Sequence, residues 1–200
     1  MTLAAPHDAA VARILRALNG RVPGLAERDE PYREAAVALV LKPSATIGDL
    51  DLLLIRRATR EGDPWSGQIG LPGGRFEATD PSLEHTALRE TTEEVGLDIL
   101  QHGQVLGVLD ELRPRTPVLP PIIVRPFVCI LRDVPELIPS DEVAEMRWIP
   151  LGELFHPAAR VETTVRVRDF SLRVDALQLG DFTVWGMTER ILSTFAEIWR

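Results

Sequence analysis

Residues 71–97 read L-P-G-G-R-F-E-A-T-D-P-S-L-E-H-T-A-L-R-E-T-T-E-E-V-G-L, and this stretch decides the fold. It opens on a glycine turn, Gly73-Gly74, where the missing Cβ atoms let the backbone pass close to a neighbour. Asp80 then places an acid in the loop. Ser82, after Pro81, marks a helix start and Gly96 a stop, so the spacing predicts a helix over 82–95. Residues three and four apart share a helix face. Glu90, Glu93 and Glu94 therefore project together, while Ala87, Leu88, Thr91 and Val95 pack inward. Three carboxylates this close repel one another unless a cation offsets them. Hard cations with oxygen ligands, Mg²⁺ first, suit such a set.

Upstream, two apolar runs at 34–42 and 50–56 flank a short polar connection and read as a strand hairpin, although the alanines of the first leave helix open. Residues 57–67 carry Gly62, Pro64 and Gly67 and read as a loop. Trp65 in it either pins the loop to the core or touches a ligand. Arg56, Arg57, Arg60 and Arg75 cluster in sequence around this loop and the glycine turn, a basic patch fit for a phosphorylated small molecule. Before them, Val11, Ile14, Leu15 and Leu18 have helical spacing, Asn19-Gly20 ends that helix, and residues 22–31 read as a loop.

Downstream, residues 104–112 and 121–131 read as strands. The proline-rich segment between them, which includes Pro114, is a stiff extended loop. A strand follows from 142, with a helical turn at Pro150. A hairpin is expected over 161–167 and 172–177, turning around Asp169. The last helix spans 185–199. Helices and strands interleave without strict alternation. The expected architecture is one α/β (α+β) domain over residues 1–200, a mixed sheet covered by helices on its faces.

The chain's 45% apolar and 26% charged residues are ordinary for a globular protein. A net charge of −8 carried without a lysine-rich run argues against broad nucleic-acid or anionic-membrane binding. No apolar run is long enough to cross a bilayer, and the first residues lack a basic start followed by an apolar core. Cys129, the single cysteine, excludes a disulfide within the chain and reads as a buried thiol, which fits a reducing, cytoplasmic setting. A homodimer is left open. His85 is expected at the surface, pointing away from the carboxylates.

The stretch 71–97 resembles the signature of the Nudix hydrolases, G-x5-E-x7-R-E-U-x-E-E-x-G-U, with U a bulky apolar residue. Gly74, Arg89-Glu90, Glu93-Glu94, Gly96 and Leu97 match it. Asp80 replaces the first glutamate, the gap to Arg89 is one residue longer, and Thr91 replaces an apolar residue. The run E-V-A-E-M-R-W-I-P-L at 142–151 also resembles the strand and turn that follow in this family. The resemblance implies a mixed sheet between helices and Mg²⁺-dependent (or Mn²⁺-dependent) hydrolysis of a nucleoside diphosphate derivative. It assigns Glu90, Glu93 and Glu94 to the metal, joined by the backbone carbonyl of Gly73. Arg89 orients the carboxylates, and Asp80 closes the loop onto the helix. The base is Glu90 or a later acid, Glu142 or Glu145 with Asp141 behind them. Arg56, Arg57, Trp65 and Arg75 are the candidate substrate contacts.

Within that family, the longer gap, the L-P-G-G form and the late V-W-G-M-T at 184–188 resemble coenzyme A pyrophosphatases. Their upstream motif is matched in part, by L-L-I-R-R-A at 53–58 and Gly67, with Asp63 where an arginine is usual. The substrate expected is coenzyme A or an acyl-CoA. The alternatives are ADP-ribose, a dinucleotide, a nucleoside triphosphate, or a non-catalytic nucleotide sensor.

Overall fold

In β1 (Arg33–Pro43), Leu39 and Leu41 enter one apolar cluster while Ala36, Ala38 and Val40 enter another. In β2 (Leu50–Arg57), Leu52 and Leu54 part from Leu53 and Ile55 in the same way. A period of two with both faces buried belongs to a central strand, which settles the alanine-rich run as strand rather than helix. The computed structural model describes residues 8–61, 65–114, 121–167 and 170–199. Asp63, the turn at Asp169 and residues 115–120 of the proline segment lie outside them.

Five more strands complete the main sheet: β3 (Ile69–Gly70), β4 (Gly73–Arg75), β5 (Gly103–Val108), β6 (Ile122–Leu131) and β7 (Val143–Pro150). The order is β3-β2-β1-β6-β5, with β4 also on β1 and β7 also on β2. β1 runs parallel to β6 from Arg33↔Ile122 to Leu41↔Ile130, and the other pairings are antiparallel. The expected hairpin is present but brief: β1 meets β2 only where residues 41–43 face 50–52. Below that the two strands part. β1 takes β4 at residues 35–37, and β2 takes β3 at residues 55–56. The Ala38 N–H donates to the Pro72 carbonyl at 2.8 Å where the strands divide.

The helices are α1 (Asp8–Asn19), α2 (Leu83–Val95), the short α3 (Ile99–His102) and α4 (Leu151–Leu154), and α5 (Gly186–Trp199). On one face of the sheet α2 buries Leu83, Ala87 and Val95 over Ala36, Ala38 and Cys129. Ser82 caps α2 by accepting from the His85 N–H, and Gly96 ends it at φ 70°. Thr91 is fully buried, and its hydroxyl donates to the Ala87 carbonyl at 2.7 Å. A threonine thus stands at an apolar position without a stranded polar atom. On the opposite face lie α1, α5 and a second antiparallel sheet, β8 (Arg160–Val167), β9 (Phe170–Leu179) and β10 (Phe182–Trp185).

Four of these elements were not foreseen: β3 and β4, which the sequence reads as the approach to the glycine turn and the turn itself, and α3 and β10. α3 is a single turn, too short for a periodic pattern. β10 is four residues long and runs directly into α5. Cys129 is buried as expected, and burial pushes its thiol up to about 12. Among the described residues, no helix is long and apolar enough to cross a membrane.

Gly103 joins α3 to β5, where an added Cβ would lie 2.0 Å from the Ile130 carbonyl oxygen. Gly103→Ala is expected to cost about 1–3 kcal/mol of stability, read as a lower urea midpoint with an unchanged slope.

Candidate active site

The loop before α2 is held by one buried carboxylate. Asp80 is 5% exposed and accepts from Arg89 Nε and Nη2, both at 3.0 Å, from Thr86 Oγ1 at 2.9 Å and from the Glu77 N–H at 3.1 Å. Arg89, first among these donors, holds the Asp80 carboxyl well below the usual carboxylate range. His85 Nδ1 also lies 3.0 Å from Asp80 Oδ1. His85 stays at the surface as expected, with half of its ring exposed, and the loop folds Asp80 back under the first turn of α2 to meet it. Arg89 reaches on to Glu90 at 3.1 Å, Glu93 at 3.0 Å and the Arg75 carbonyl at 3.2 Å.

The glycine turn brings backbone against the carboxylates. Gly73 has φ 148°, and an added Cβ would sit 2.3 Å from the Ala36 carbonyl oxygen. A Cβ on Gly74 would sit 2.3 Å from the Glu90 carboxylate. The Gly73 N–H donates to Glu94 Oε2 at 2.9 Å, and Arg57 Nη1 lies 3.3 Å from Glu94 Oε1. Burial pushes the Glu94 carboxyl up to about 7, against those two partners. Burial also raises Glu90, with Glu93 and Glu142 adding like charge.

These groups open onto a cavity of about 710 Å³. Its polar wall carries Glu90, Glu93, Glu94, Glu142, Arg57, Arg75, Arg89 and Trp65, together with Gly73. Nine of the ten residues read from the sequence as site residues therefore converge. Arg56 is the exception. It follows Leu54 on the other face of β2, where it stacks on the Phe182 ring at 4.7 Å and pairs with Glu145 at 3.1 Å and Asp181 at 2.9 Å. Glu145 goes with it, away from the cavity and held also by Arg147. Arg60 takes the place expected for Arg56. It spans the cavity mouth to Glu142 at 3.0 Å and Asp141 at 3.4 Å. The sequence had noted its charge but not its position.

The lining also has an apolar part: Ala35, Val37, Ile122, Val124, Met187 and Ile191. Met187 and Thr188 belong to the V-W-G-M-T run at the start of α5. The sequence singled out that run by resemblance, but nothing in its residues placed it beside the carboxylates.

The oxygen-rich donor set and the raised Glu90 and Glu94 fit a hard cation, whose charge would offset what burial disfavours. As they stand, the carboxylates are held apart: Glu93 by Arg89, Glu94 by Arg57 and Gly73, Glu142 by Arg60. Among the described residues no three acidic, histidine or cysteine side chains form a ready ligand cluster.

Arg89→Leu is expected to destabilise the protein by about 3 kcal/mol, because it leaves the Asp80 carboxylate buried without its cation; urea denaturation measures this. Glu94 gives a pH signature in the metal-free protein. Its carboxyl rises from 4.5 in the unfolded chain to about 7 in the fold, so the folded state holds the proton more tightly. Stability should fall as pH rises from about 4.5 to about 7. Melting with a chelator present should show this slope, and Glu94→Gln should remove it. Asp80, shifted the opposite way, loses its contribution only as pH falls below about 4.

The NUDIX domain model matches residues 31–168. An uncharacterized protein of Schizosaccharomyces pombe is 38% identical over 118 residues, covering 57% of this chain. The match spans 36% of that protein's length. The uncharacterized Nudix hydrolase NudL of Pectobacterium atrosepticum is 32% identical over 167 residues, 83% of this chain and 84% of its own. Among solved structures, a MutT/nudix family protein from Enterococcus faecalis shares the fold, with a TM-score of 0.57 at 23% identity over 94% of this chain and 68% of that one. With the domain match running through the glycine turn and the carboxylate helix that form the cavity's polar wall, the chain belongs to the Nudix hydrolase family.

Proposed function

We propose that the protein hydrolyses the P–O–P bond of a nucleoside diphosphate derivative, coenzyme A or an acyl-CoA, to adenosine 3′,5′-bisphosphate and the phosphopantetheine half. The observation that carries this reading is the mixed lining of the cavity. The carboxylates and arginines share it with an apolar set that includes Met187 of V-W-G-M-T. A diphosphate suits the charged groups, and a long, weakly polar arm suits the apolar ones.

Nudix hydrolases use divalent metals. A bound divalent cation supplies Lewis-acid stabilisation of the phosphoryl oxygens and lowers the pKa of bound water. In this reading Glu90, Glu93 and Glu94 hold it, with the Gly73 carbonyl. Arg89 keeps its grip on Asp80 and fixes the angle of the carboxylate face. Arg57, Arg60 and Arg75 meet the anionic oxygens of the diphosphate. As Arg60 turns to the phosphates it releases Glu142, whose carboxylate takes the proton from the attacking water. The water oxygen bonds to one phosphorus while the bridging oxygen leaves with the other. Trp65 and Gln68 close the side of the cavity and shield the reacting phosphate from bulk water.

The test is a substrate panel with Mg²⁺ and Mn²⁺: coenzyme A, acyl-CoA esters, ADP-ribose, dinucleotides and nucleoside triphosphates. Coenzyme A or its esters should turn over fastest, and Glu93→Gln and Glu94→Gln should each lower kcat/KM by about a hundredfold or more. Intact coenzyme A compounds beside rapid turnover of another substrate would overturn the substrate assignment. Full activity in both variants would overturn the metal assignment.

A further inference from the structure

β8 is an edge strand with unusual regularity. It pairs with β9 from Arg160↔Leu177 to Val167↔Phe170 without a bulge, and it contains no proline. Among the described residues, no strand pairs with its other side and no backbone hydrogen bond crosses it. A straight, unblocked edge is a template for a further strand. Val161, Thr163 and Val165 lie on one half-buried face, while Glu162, Thr164 and Arg166 are exposed on the other.

We propose that the outer edge of β8 pairs antiparallel with β8 of a second copy of this chain, about a two-fold axis at Thr164. Only an axis at Thr163 or Thr164 pairs nearly the whole of β8, and between these two the charges select Thr164. Outward-facing backbone groups recur every second residue, so a symmetric antiparallel pair must place its axis on a residue. With the axis at Thr164, Glu162 faces Arg166 of the partner copy, and the same pair recurs across the axis. An axis at Thr163 would set Arg160 against Arg166. An axis at Glu162 or Arg166 would set a like charge against itself. Directly opposed unlike charges stabilise a strand pair and like charges destabilise it. Glu162 also pairs with Arg173 on β9, so the contact would extend a charge line already present in each chain. Thr163 and Val165 meet across the half-buried face. The cavity lies at other elements and stays open.

Sedimentation equilibrium over a wide range of concentration, with the full chain, tests this. The expected result is a reversible association reaching twice the 22.2 kDa chain mass. Arg166→Glu should weaken it about tenfold or more, since both symmetric pairs become repulsive. Combining it with Glu162→Arg should restore the dimer. Thr164→Cys should cross-link chain to chain on mild oxidation, because the residue faces itself across the axis, whereas Ser171→Cys on β9 should not. Cys129 is buried and does not compete. A single-chain mass at every concentration overturns the proposal. So does a dimer that Arg166→Glu leaves intact, or one that the double reversal fails to restore.

Discussion

The Asp80–Arg89 pair is the constraint on which the site depends. Arg89 lies on α2, and its guanidinium has more donors than the helix can satisfy. Asp80 takes two of them from a buried position. The remaining donors reach Glu90, Glu93 and the Arg75 carbonyl. One cation therefore joins the loop, the glycine turn and the carboxylate face. The glycines complete this arrangement by exclusion. With Gly74 lacking a Cβ, Glu90 lies against the backbone, and with Gly73 at φ 148° the turn pairs with β1. A side chain at Gly73 would press on the backbone of β1, and one at Gly74 would displace the Glu90 carboxylate.

Much of this was legible in residues 71–97, because helix caps, glycine turns and three- and four-residue spacings are local. The strands of the main sheet were legible for a similar reason: β1, β2 and β6 are long apolar runs. What escaped the reading was set by tertiary placement. Arg56 and Arg57 are adjacent and identical, yet the pleat sends one to Phe182 and the other to Glu94. Only the parity of the strand against a known core separates them, and Leu54 and Ile55 show which parity applies. The contact of the exposed His85 with Asp80 was not foreseen, because Asp80 approaches from a loop rather than from the helix. β10 and α3 are too short for any period to register.

The departures from the family pattern find physical explanations in the structure. Thr91 bonds its hydroxyl to Ala87 and behaves as a packed residue. Asp80 is one methylene shorter than glutamate, and it gathers Thr86, His85 and a backbone N–H around the carboxylate as well as Arg89. The upstream loop departs too, but its described part still delivers Arg60, Trp65 and Gln68 to the cavity. The parting of β1 and β2 makes room for them. Had the two strands stayed paired beyond residues 41–43, β3 and β4 would have no place in the sheet, and the glycine turn would not reach α2.

The cavity's charge then ties the proposed chemistry together. Its wall includes six acids, Glu77, Glu90, Glu93, Glu94, Asp141 and Glu142, against four arginines, Arg57, Arg60, Arg75 and Arg89. Arg60, Arg57 and Arg89 already hold Glu142, Glu94 and Glu93. An anionic diphosphate entering alone would meet a wall that is negative overall and three of whose four arginines are engaged. Under the proposed reading, a divalent cation on the carboxylates reverses both conditions, since it offsets the excess charge and frees Arg57 and Arg60 for phosphate while Arg89 stays on Asp80. Metal and substrate binding are then coupled through the same ion pairs, and each should tighten the other by the same factor. The pairs that hold the carboxylates apart in the resting site are, on this view, what links occupation of one subsite to readiness of the next.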